Sequence, residues 1–154
     1  MTDDTSLALL PALRKLLLGL VALVMLGMLM DLLLLAHYEE IWQWVPLVVL
    51  TLALVVAAWT ARAGSALAVT AFRIAMVLVV CTGLLGVVMH YDGSREFQLE
   101  THPALAGWAL FVKVMRAKAP PTLAPAAMIQ AGLFGLLYTW RHPALAVPAK
   151  GVLR

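Results

Sequence analysis

Four blocks of nearly uninterrupted apolar sequence run through this chain, each close to the length that crosses the hydrocarbon core of a bilayer. They read as spans over 13–36, 45–61, 73–89 and 123–140. Of the 154 residues, 64% are hydrophobic and 12% charged, where a soluble domain sits nearer half and a quarter. The pattern therefore predicts an all-α fold: a four-helix transmembrane bundle, one domain over 1–154, in contact with the lipid bilayer. A formal charge of +3, scattered near span ends, is no nucleic-acid footprint. The single cysteine, Cys81, excludes an intramolecular disulfide and reads as a small buried apolar residue.

The start does not read as a cleavable signal peptide: its first charges are Asp3 and Asp4, and the apolar run that follows is too long. Lys/Arg bias sets the orientation. Arg14 and Lys15 before span one, Arg62 and Arg73 in the second loop, and Arg141, Lys150 and Arg154 after span four share one side. Arg95, Lys113, Arg116 and Lys118 fall on the other. The expectation is a multi-pass protein of a cell inner membrane with both termini cytoplasmic. Trp42, Trp44, Trp59, Tyr91 and Trp140 sit at predicted span ends, as an aromatic belt requires. Pro46 suits the first turn of span two, and Thr122 is the expected N-cap of span four.

Residues 91–122 are too long for a simple connection. Within them, 103–118 predicts an amphipathic interfacial helix between spans three and four, with Pro103 at its first position. Leu105, Trp108, Phe111, Val112 and Met115 make its apolar face, opposite Lys113, Arg116 and Lys118.

Polar chemistry gathers at one predicted face. Span one closes on His37-Tyr38-Glu39 and span three on His90-Tyr91-Asp92, and both ends lie on the same side. Neutral imidazole is a common ligand for transition metals, and carboxylates complete many such sites. The candidate metal set is His37, His90, Asp92, Glu96, Glu100 and His102, for a transition metal or, with two imidazoles at similar depth, a haem. The spacing matches no established metal motif, and His, Tyr and acids also anchor membrane interfaces in their own right. Asp31 lies roughly 9 Å deeper than His37 along the helix. A carboxyl there costs about 2.5–3.5 kcal/mol on insertion scales, so it is expected to face the bundle, with Gln130 of span four as candidate intramembrane partner. Six residues are about 600° of helix, so Asp31 and His37 do not share a face. Gly27, Gly83, Gly86, Gly132 and Gly135 suit close helix packing. The two His-Tyr-acid tripeptides also raise a pseudo-repeat of two parallel halves, and HPALA recurs at 102 and 142. No glycine-rich phosphate loop, nucleophile elbow or zinc-protease helix is present.

The stretches HYDGSREFQLE, GWALF, APPTLAPAAM and GLFGLLYTWRHP over residues 90–143 resemble a pattern in small bacterial four-span inner-membrane proteins without assigned activity. In size and topology alone the chain is similar to the DoxX-like group. The resemblance implies a bacterial cell membrane and four spans, and it carries no site residues. The leading expectation is a non-enzymatic accessory or assembly-type subunit with an outward-facing His/carboxylate site, acting as a homo-oligomer or in a larger membrane complex. The alternatives are a metal- or haem-binding redox protein using His37 and His90, and a small proton-coupled transporter using Asp31.

Overall fold

The computed structural model describes residues 2–146, with side-chain environments from residue 9 onward. Asp3 and Asp4, as side chains, and Lys150 and Arg154 lie outside the described residues. The elements are α1 (Thr2–Leu34), a 3₁₀ turn (Ile41–Gln43), α2 (Trp44–Ala63), α3 (Ala66–Thr101), α4 (Gly107–Met115), α5 (Leu123–Thr139) and a last 3₁₀ turn (Pro143–Leu145). Three segments are long and apolar enough to cross a membrane, Leu9–Leu34, Ile41–Ala63 and Ala66–Thr101, and α5 is a shorter apolar helix.

Each long helix buries only a narrow stripe. Leu18, Val21 and Met25 of α1, Leu50, Ala53 and Ala57 of α2, and Phe72, Met76 and Val79 of α3 meet Met128, Ala131 and Tyr138 of α5 in one core. The spacing of three and four residues is that of one helix face. The remaining faces stay apolar and exposed: Leu16 is 70% exposed, Leu23 66% and Leu34 79%. In water such a surface would be an aggregation liability; in hydrocarbon it is solvated. The helices pack as α1 on α2, α2 on α3, α3 on α5 and α5 on α1, so α1 and α3 sit diagonally.

The α3–α5 seam is the tightest contact, and glycines make it so. A Cβ on Gly132 would fall 2.6 Å from Val80 Cγ2 and 2.9 Å from the Met76 carbonyl oxygen, and one on Gly83 would fall 2.7 Å from Ile129. Gly135 abuts Met76 and Gly86 abuts Pro125, which lets the two backbones approach. Gly27, expected to do the same, has open space where its Cβ would be. Cys81, expected inside, is exposed on α3.

Helix ends depart from the hydropathy boundaries. Gly64 closes α2 with φ 55°, and Ser65 caps α3 by accepting a bond from the Ala68 N–H. The second loop is thus two residues, and Arg73, expected in it, is one turn and more inside α3. At its far end α3 continues past Met89 to Thr101, because HYDGSREFQLET loses apolarity but not helix compatibility. The expected 91–122 loop is therefore largely helix. The amphipathic segment is shorter than 103–118: it begins at Gly107, and Leu110 and Val114 are its buried residues. Trp108, placed on the buried face by the sequence pattern, is 75% exposed. α4 docks on α3, which selects a face rotated from the one the apolar count favoured. Thr122 does precede α5, but its side chain makes no cap bond.

Candidate site at the histidine end

The two ends of the packed helices carry different groups. At one end, here the arginine end, Arg73 donates from Nε to Thr139 Oγ1 (3.2 Å) and from Nη2 to the Thr139 carbonyl (3.0 Å). Arg14 donates to the Arg141 carbonyl at 3.1 Å. Both arginines donate to carbonyls at or just past the C-terminus of α5, where the helix dipole favours cations; the Thr139 carbonyl also accepts the His142 N–H at 3.2 Å. Thr60 Oγ1 reaches across from α2 to the Ala68 carbonyl of α3 at 3.1 Å, and Tyr138 packs edge-on to Phe72. His142 lies against Tyr138, and desolvation followed by the Arg14 charge holds its pKa below the usual histidine value.

At the opposite, histidine end, α1 finishes in a turn that redirects its last side chain. Ala36 has φ 51°, the His37 N–H bonds the Leu32 carbonyl, and the Ala36 N–H bonds that of Leu33. This is the Schellman pattern with alanine where glycine is usual. It swings His37 away from the helical path. The segment that follows is pinned: Gln43 Oε1 accepts the N–H groups of Glu39 (2.8 Å) and Glu40 (3.1 Å). Trp44 Nε1 donates to the Tyr38 carbonyl at 3.0 Å.

His37 consequently meets His90, although α1 and α3 are diagonal. Their ring centroids are 6.2 Å apart and the planes 25° from parallel. Burial first, and then the neighbouring His90, hold the His37 pKa below the ordinary histidine value, so near neutral pH His37 is uncharged. The pair lines a cleft of about 750 Å³ bounded by α1, α2, α3 and α5. Its walls are largely apolar, among them Met28, Leu32, Leu85, Ala127 and Met128, and its polar lining is Asp31, His37, Glu40, Gln43, Thr82 and His90. Such a volume, with apolar walls and few polar groups, is of the kind that holds small molecules, about 300–1,000 Å³. Glu40 shares the polar face expected from the sequence, whereas Gln43 and Thr82 were not singled out: Gln43 lies in a short turn with no periodicity to read, and Thr82 is a single hydroxyl within the apolar run of α3.

The remaining candidates lie elsewhere. Asp92, Glu96 and Glu100 climb α3 on a stripe about 200–280° round from His90, and none lines the cleft. His102 caps the end of α3, about 18 Å further along the axis than His90. Among the described residues no group of three or more His, Cys, Asp or Glu side chains is arranged to hold a metal ion. Asp31 lines the cleft but Gln130 does not: it lies about 200° beyond Met128 round α5, on the exposed face. The two His-Tyr-acid tripeptides also differ locally, one a turn after α1 and the other inside α3. Each tyrosine nonetheless rests on an aromatic ring, Tyr38 on Trp44 and Tyr91 on Phe111.

The chain matches no family model, no curated protein and no solved structure, so the site's geometry alone carries its reading.

Proposed function

We propose that this chain is a small four-span inner-membrane protein, non-enzymatic and accessory in role, whose working part is the cleft at the histidine end. The cleft holds the apolar portion of a membrane-soluble small molecule, and His37, His90 and Glu40 read its polar end. The observation that carries this is a roughly 750 Å³ cavity with largely apolar walls and a few polar side chains in its lining. Both termini lie in the cytoplasm and the histidine end faces outward. Supporting that orientation, Arg14, Arg62, Arg73 and Arg141 gather at the arginine end, as cytoplasmic ends require. Asp31, exposed and lining the cleft, is the contact for a polar group on the bound molecule or on a second subunit.

Native mass spectrometry of gently solubilised protein tests this. The expected result is one retained small molecule per chain, lost in Ala127→Phe, which fills the cleft. Equal retention in that variant, or an empty wild-type protein, contradicts it.

A second reading rests on the ring spacing. Centroids 6.2 Å apart are on the scale reached by two imidazoles sharing one metal at about 2.0–2.1 Å. Elemental analysis of protein purified without chelator decides it. Near-stoichiometric transition metal, lost in both His37→Ala and His90→Ala, supports a metal centre; its absence leaves the pair as part of the ligand cleft.

A further inference from the structure

A second, more open hollow of about 580 Å³ lies beside His90, between the extension of α3 and the segment after α4. Met89 and His90 line both cavities, so the imidazole stands in the shared wall. The two chambers differ in charge. The lower one, among the apolar helices, carries the carboxyls of Asp31 and Glu40 and no lysine or arginine. The upper one, beyond the apolar length of α3, carries Lys118 with Ser94 and Gln98 and no carboxyl. Gly93 keeps its floor free of side-chain bulk.

We propose that the two cavities form one site for an amphiphile with an anionic head. The tail lies in the lower cleft, the chain passes His90, and a phosphate or carboxylate is held in the upper chamber by the Lys118 ammonium, the Ser94 hydroxyl and the Gln98 amide. The direction follows from the lining charges. An anionic head left at the lower mouth would face two carboxyls, and a cationic head in the upper chamber would face a lysine without a compensating acid. The acidic stripe Asp92, Glu96 and Glu100 lines neither cavity. This inference rests on the cleft reading above, and its test separates the two.

The full-length protein in maltoside micelles is labelled with a neutral diazirine-tailed alkyl glycerol. Dodecyl phosphate, dodecanoate and dodecyltrimethylammonium then compete, and labelled peptides are mapped. Both anions are expected to displace the probe at about three- to fivefold lower concentration than the cation, the scale of one exposed ion pair. Lys118→Glu is expected to reverse that order. A stronger phosphate arm identifies a phospholipid-type head, and equal arms a simple carboxylate or phosphate. If the three compete equally, or if the order survives Lys118→Glu, the two-chamber site is overturned while the lower cleft stands. If Ala127→Phe and Ala124→Phe both leave labelling of the cleft peptides intact, the cleft reading itself fails.

Discussion

The two halves of this molecule solve the same packing problem in opposite ways. Toward the arginine end, glycines draw α3 and α5 together, Phe72, Met76 and Tyr138 fill the interior, and arginine and threonine side chains tie the helices to one another. All cross-helix hydrogen bonds among the described residues lie there. Toward the histidine end Gly83 and Gly86 still hold α3 against Ile129 and Pro125 of α5, but a cavity opens among the four helices, and the polar side chains bond within their own loop. A membrane interior supplies little hydrophobic drive between helices, so close packing and hydrogen bonds must hold them. Where both are present the four helices close; where the glycine seam stands without cross-helix hydrogen bonds, a cavity remains beside it. One half is thus a clamp, and the other encloses the cavity.

The largest expected effect lies in the clamp. Gly132→Leu forces a side chain into Val80 and the Met76 backbone and is expected to cost about 3 kcal/mol or more, read as lost folded protein in a detergent unfolding titration. Gly27→Leu, facing open space, is expected to change stability by less than about 0.5 kcal/mol. Equal costs at the two glycines would break the comparison. Next comes Arg73→Ala, which removes the tie from α3 to Thr139. Two bonds from a charged donor are lost, and the expected cost is about 1.5–3 kcal/mol in the same titration. The matching change at the histidine end, His90→Ala, is expected to leave stability nearly unaltered.

A smaller effect of opposite sign is expected at Ala36. Glycine adopts φ 51° without the Cβ penalty, so Ala36→Gly is expected to stabilise by about 0.5–1 kcal/mol, seen as a raised unfolding midpoint.

The smallest effect is the pH dependence. Folding holds His37 and His142 below their ordinary pKa, so the unfolded chain binds protons first as pH falls. Stability from these groups is present above about pH 6.5 and is lost as pH drops below it, until the folded pKa values are passed. His142→Gln is expected to remove the arginine-end share and His37→Gln the histidine-end share, in melting curves between neutral and mildly acidic pH. A midpoint that rises on acidification would contradict both.

The apolar blocks made the helical, membrane-type character legible, because twenty apolar residues in a row have few other fates. Hydropathy marks where a chain leaves hydrocarbon, however, not where a helix stops. α3 runs polar past Tyr91 to Thr101, and it begins at Ala66, before the expected boundary. The meeting of His37 and His90 was legible in outline from span topology. Its means was not: helical phase placed Asp31 and His37 on different faces, yet both line the cleft, since phase ceases to apply beyond Leu34 and the Ala36 turn redirects His37. Likewise the apolar count on α4 could not foresee docking against α3, which buried Leu110 and Val114 and left Trp108 outside.

The contrast between a closed and an open half comes down to one turn of α5. Ala127 lines the cleft, and Ala131, four residues on, is 2% exposed in the core. In a Cys81→Ala background, the rate at which a small maleimide modifies Ala127→Cys and Ala131→Cys in the folded protein measures that contrast. The account predicts rapid modification at 127, slowed by bound amphiphile, and none at 131 until the protein is unfolded. Equal rates at the two positions, fast or slow, would contradict it.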